Sequence, residues 1–121
     1  MEKEFIPYTE ALALKELGFK EPCFGFYRKE KLYLCDYKNV NEEKISIISA
    51  PLLQQAYSFF DDNTDYKGFI VPSIKEECFD WEIYYGGNKI LECNEYYSLR
   101  ENAELECLKK LIEIAKEQNV K

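Results

Sequence analysis

Asp80 and Glu82 stand two residues apart in the run F-D-W-E-I-Y-Y at 79–85. In an extended strand that spacing puts both carboxylates on one face. Two acids on one face could share general acid and base work. A strand with one solvated face is spelled the same way, and nothing else in the chain asks for the catalytic reading. The run D-D-N-T-D at 61–65 invites a calcium loop, but the EF-hand pattern needs Gly at 66 and Glu at 72, where this chain has Tyr66 and Pro72. It reads as a solvated loop. Five cysteines, at 23, 35, 78, 93 and 107, form no C-x-x-C pair. With no histidine in the chain, zinc would require four of those thiols to converge. They read as reduced, mostly buried thiols, with no disulfide and no metal. The missing histidine also removes the usual base for a serine or cysteine nucleophile. Gly86-Gly87 is a turn and no phosphate-binding loop is present. The chain is therefore read as a protein without catalytic residues, cofactor or metal, and an enzyme ranks third among the readings.

What remains is aromatic surface. Sixteen per cent of the residues are aromatic, including ten tyrosines. Tyr33, Tyr37, Tyr84, Tyr96 and Tyr97 fall on or beside expected strands. Exposed tyrosines bury large area at small entropic cost, which suits protein recognition. They could equally stack on a nucleobase, and ordinary sheet packing also uses them. The net charge of −7 argues against nonspecific nucleic-acid binding and against anionic membrane surfaces, and permits a basic partner or imitation of nucleic acid. No apolar run approaches ~18 residues, and the start M-E-K-E-F-I-P-Y lacks a signal-peptide core. A cytoplasmic protein is expected; the oligomeric state is left open.

At 121 residues, 46% of them hydrophobic and 32% charged, the chain is read as a single α+β domain over 1–121. Its longest element is a helix over Leu99–Gln118, with Ser98 and Glu101 at capping-box spacing. At about 100° per residue, Leu105, Cys107, Leu108, Leu111, Ile112, Ile114 and Ala115 share one half of its wheel. So wide a stripe wants a sheet face. Upstream, Thr9 caps a short helix that Gly18 ends. Cys23–Tyr27 and Leu32–Tyr37 read as a hairpin whose turn, R-K-E-K, lacks Gly or Asn. A polar loop follows at 38–44, then a brief strand at Ile45, Ile47 and Ile48. Pro51 opens a second helix carrying Leu52, Ala56, Phe59 and Phe60 on one face; the acids after it predict a fraying end. Phe69–Ile74 is a strand that Pro72 confines to an edge or a bulge. Phe79–Tyr85 and Lys89–Tyr97 pair through Gly86-Gly87-Asn88. The sum is an antiparallel sheet of about five strands, with three helices packed mainly on one face.

Three stretches, E-F-I-P-Y-T-E-A-L-A-L-K-E-L-G-F-K-E-P-C-F at 4–24, A-P-L-L-Q-Q-A-Y-S-F-F at 50–60 and A-E-L-E-C-L-K-K-L-I-E-I-A-K at 103–116, resemble a family of small proteins encoded by phages and prophages of Bacteroides-type bacteria. The resemblance covers roughly half the chain and carries no catalytic motif. It implies an accessory protein in the bacterial host cytoplasm that binds a host or defence protein. The alternative is a small-ligand binder, nucleotides included, that uses aromatic stacking. Alternation sends Phe79, Trp81, Ile83 and Tyr85 toward the helices. Asp80, Glu82 and Tyr84 then take the opposite face, joined by Tyr33 and Tyr37 of the first hairpin, as an acidic docking surface.

Overall fold

A computed structural model of the chain describes residues 4–38, 47–73, 77–93 and 95–119, with the side chains of residues 37, 38 and 119 outside the description. The elements run α1 (Tyr8–Glu16), β1 (Cys23–Arg28), β2 (Lys31–Lys38), β3 (Ile47–Ser49), α2 (Leu53–Asn63), β4 (Tyr66–Ser73), β5 (Cys78–Tyr85), β6 (Asn88–Glu92) and α3 (Arg100–Asn119). They form two antiparallel three-stranded sheets, β2-β1-β3 and β4-β5-β6. The α+β class holds; one sheet of about five strands does not. Strand β1 is central between β2 and β3, and β5 is central between β4 and β6, so each hairpin builds its own three-stranded sheet. The chain divides into two compact units, Met1–Ala56 and Tyr57–Lys121.

In the first unit, α1 starts at Tyr8 with Pro7 at the cap position and no side-chain capping bond. Thr9 is therefore inside the helix, where its hydroxyl donates to Glu10 Oε1. Proline, with no N–H to satisfy and a fixed φ, sets the start instead. At the other end the Phe19 N–H reaches Leu14 O and the Gly18 N–H reaches Lys15 O. Gly18 has φ +99, the left-handed position that closes a Schellman motif. Strand β1 buries Cys23, Gly25 and Tyr27 and turns Phe24 and Arg28 outward. Its turn to β2 places Lys29 at φ 51 and Glu30 at φ 65. Both central residues are left-handed, a type I′ turn without the Asn-Gly that favours it. The Tyr27 hydroxyl donates to Ile6 O at 2.7 Å, tying the strand to the segment ahead of α1. Gln55 Oε1 accepts the Leu52 N–H, while its Nε2 donates to Pro22 O. The first bond satisfies an amide at the α2 start that the helix itself leaves unpaired.

In the second unit α3 lies across β4 and β5. Ala103, Cys107, Leu108, Leu111, Ile112 and Ala115 are buried there. Full burial of a leucine contributes about 1.5–3 kcal/mol. Leu105 is only half-buried, because at about 100° per residue it falls just outside Ile112, at the margin of the buried arc. The first-turn bonds of α3 close on Leu99 O, so the capping position is Leu99 and the Ser98–Glu101 box does not form the start. Strand β4 is an edge and carries Pro72, as its missing N–H requires. Gly86 and Gly87 take φ +57 and +89 in the β5–β6 turn. Strand β6 ends at Glu92, shorter than the expected return, and Tyr97 rejoins Phe79 only as an isolated bridge. The end of α2 does not fray into the acids: it runs through Asp61 and Asp62 to Asn63, whose Nδ2 donates to Phe59 O, and Thr64 Oγ1 donates to Phe60 O. Ile45, Ile74 and the loop at 39–44 lie outside the described residues.

Candidate functional site

Strand alternation sorts the second sheet into two faces. On β5, Trp81 and Ile83 are buried, at 7% and 0% exposure, so the phase read from the sequence is the one adopted. Phe79 and Tyr85 share their side but sit at the strand ends, Tyr85 exposed. The outer face then holds Asp80, Glu82 and Tyr84. Register places Val71 opposite Asp80, Phe69 opposite Glu82 and Lys67 opposite Tyr84. From β6, Lys89 lies opposite Tyr84 and Glu92 opposite Glu82.

The polar groups of this face are tied to one another. The Tyr84 hydroxyl donates to Glu82 Oε1 at 3.2 Å. Lys89 Nζ stands 3.0 Å from Glu92 Oε2 and 3.5 Å from Glu82 Oε2. Two glutamates directly opposite each other would repel; the ammonium between them offsets that. Its hydrogen bond to Glu92, backed by the charge of Glu82, holds Lys89 above its ordinary pKa. Asp80 Oδ1 accepts the Trp81 N–H at 2.6 Å. Phe69 and Tyr84 meet edge to face, 5.3 Å between centroids at 89°, a favoured aromatic geometry.

Beside these rings lies a cavity of about 580 Å³, lined by Asp61, Thr64, Asp65, Lys67, Phe69, Glu82, Tyr84, Gly86 and Gly87. Lys67 pairs with Asp61 at 3.5 Å, both side chains about half exposed. The face and its rim thus carry the carboxylates of Asp61, Asp65, Asp80, Glu82 and Glu92 against the ammonium groups of Lys67 and Lys89. That excess of negative charge attracts cations and repels phosphates. No family model, no curated protein and no solved structure matches this chain.

Of the residues singled out in the sequence, Asp80, Glu82 and Tyr84 do come together. Tyr33 stands on β2, in the other sheet. Its ring stacks on Phe26 at 5.5 Å and Lys31 lies over it. Tyr37 is in β2, and its side chain lies outside the described part. The sequence reading missed Lys67, Phe69, Asp61 and Asp65 as members of the site, since only the β4–β5 register brings the first two beside Tyr84 and Glu82.

The thiols lie elsewhere. None of the five is in a disulfide; Cys23 and Cys107 are buried and the others half-buried. Burial pushes the Cys23 thiol up to about 12 and Cys107 up to about 11, which keeps both protonated and inert. Burial likewise raises the Tyr57 phenol, whose hydroxyl donates to Glu104 O at 2.6 Å. Among the described residues no group of three or more His, Cys, Asp or Glu is placed to hold a metal ion, and no described helix is long and apolar enough to cross a membrane.

Proposed function

We propose that this chain is a non-enzymatic interaction protein that binds another protein through the acidic, tyrosine-bearing outer face of β4, β5 and β6. The observation that carries the reading is the grouping of Asp80, Glu82 and Tyr84 on one face, beside a cavity whose rim holds more carboxylates than ammonium groups. Aromatic side chains supply contact area and the carboxylates steer a basic partner to it. The resemblance at 4–24, 50–60 and 103–116 adds the setting: an accessory protein of a phage or mobile element, acting on a host or defence protein in the bacterial cytoplasm.

A small-ligand reading keeps one observation in its favour, since a cavity of about 580 Å³ is of the size that ligand sites occupy. Its carboxylates would repel phosphate groups, so a nucleotide is the poorer occupant. Affinity capture from lysate of a Bacteroides-type bacterium tests the leading reading when three baits run side by side: the wild type, Asp80→Lys with Glu82→Lys, and Asp80→Asn with Glu82→Gln. The neutral pair keeps an acceptor oxygen for the Trp81 N–H and so controls for folding. A protein retained by the wild type and lost from the lysine variant supports the reading. Equal retention by all three baits overturns it, as does a small molecule that co-purifies in place of any protein.

A further inference from the structure

The cavity beside the Gly86-Gly87 turn has the chemistry of a pocket for one kind of side chain. We infer that it receives an arginine of the partner protein, an inference that rests on the outer face being a protein-docking surface. Phe69 is 48% exposed, so its ring is open to stacking, and Tyr84 holds it edge-on from the side. A planar guanidinium stacks on such a ring and is weakly hydrated, whereas an ammonium is a compact, strongly hydrated point charge. Carboxylate oxygens stand on the same walls. Glu82 gives one oxygen to the Tyr84 hydroxyl and faces Lys89 with the other, yet a carboxylate has room for about four donors. Asp65 has no ion-pair partner among the described residues. Lys67, the one cation among the described wall residues, is tied to Asp61 only by an exposed pair, which contributes little and gives way readily. Five donors in a fixed fork can use two such carboxylates at once, and three donors on a flexible stem use them less well. The remaining volume, larger than one ion needs, accommodates the stem and the neighbouring backbone of a peptide.

The test is a nuclear magnetic resonance titration of the full chain, labelled with nitrogen-15, using acetylated and amidated peptides Gly-Gly-X-Gly-Gly into the millimolar range. X is arginine, lysine or citrulline; citrulline keeps the shape of arginine and removes its charge. Arginine should shift the amides of Lys67, Gly86 and Gly87 and bind about two- to five-fold more tightly than lysine, with citrulline weakest. Phe69→Leu should erase the preference of arginine over lysine while leaving weak binding of both, and Asp65→Asn with Glu82→Gln should abolish both. If lysine or citrulline matches arginine at these amides, the arginine assignment falls and the docking face stands. If no cationic peptide moves any residue of the outer face, both fall.

Discussion

Strand β4 meets helix α3 so closely at Gly68 that a single added carbon tests the packing of the second unit. A Cβ built there lies 2.7 Å from Cys107 Sγ, 3.0 Å from Leu111 Cδ1 and 3.1 Å from Tyr57 Cε1. None of the three retreats easily. Cys107 and Leu111 are fully buried, and the Tyr57 hydroxyl is held by Glu104 O. Overpacking of this kind costs about 1–3 kcal/mol. Alanine returns about 0.5–1 kcal/mol over glycine in a strand, so at the middle of these ranges Gly68→Ala should destabilise by about 1 kcal/mol. The closest atom is the cysteine sulfur, so Cys107→Ala should relieve the clash. The double variant should then be more stable than the sum of the single changes predicts, by about 1 kcal/mol within the range that touching residues show. Urea unfolding of the four proteins at constant m-value measures this cycle. A Gly68→Ala protein as stable as the wild type, or strict additivity with Cys107→Ala, would refute the close approach of α3 to β4.

The first hairpin offers a gain in place of a loss: Lys29→Asn with Glu30→Gly places the preferred residues at two left-handed positions and should raise stability by about 0.5–2 kcal/mol, read as a higher denaturant midpoint. The buried thiols predict alkaline lability. Unfolded cysteines ionise from about pH 9 while Cys23 and Cys107 hold their protons to about 12 and 11, so their contribution is complete below pH 9 and is lost as pH rises through those values; denaturant midpoints from pH 8 to 11 should fall, and less steeply in Cys107→Ala. In the wild type at pH 8, a thiol reagent should modify Cys35, Cys78 and Cys93 well before Cys23 and Cys107.

Local pattern carried a good part of this fold. Phe79, Trp81, Ile83 and Tyr85 alternate cleanly, and Trp81 and Ile83 are buried as that phase requires. Leu108, Leu111, Ile112 and Ala115 follow the helical arc; Gly18, Gly86 and Gly87 mark a helix end and a turn because only their backbones take those conformations without strain. Pro72 names an edge by lacking an N–H. What the sequence hid was non-local. Nothing in I-I-S at 47–49 announces that it will pair with β1 and close a sheet, so the expectation of one continuous sheet had no local signal against it. Thr9 and Ser98 are good capping residues, yet Pro7 and Leu99 stand at the helix starts, where the preceding residues are already held by backbone bonds distant in sequence, Ile6 to Pro51 and Tyr97 to Phe79. The candidate site was half legible for the same reason. The spacing of Asp80, Glu82 and Tyr84 is a property of one strand, while Phe69 and Lys67 join them through a register that only the folded hairpin defines. Asp61 and Asp65 carry only the local pattern of a solvated loop, and their place on the cavity wall depends on where α2 ends.

The proposed docking face is tested most directly by the rate at which a captured partner associates. Surface-immobilised wild type should bind it quickly at low salt and more slowly as ionic strength rises, because the carboxylates of the outer face act over the Debye length. Asp80→Lys with Glu82→Lys should slow association at least about tenfold and flatten the salt dependence, with far-ultraviolet dichroism unchanged, while Tyr84→Ala should chiefly speed dissociation. Association and dissociation rates that match the wild type in both variants, in proteins shown to be folded, would contradict the assignment of this face.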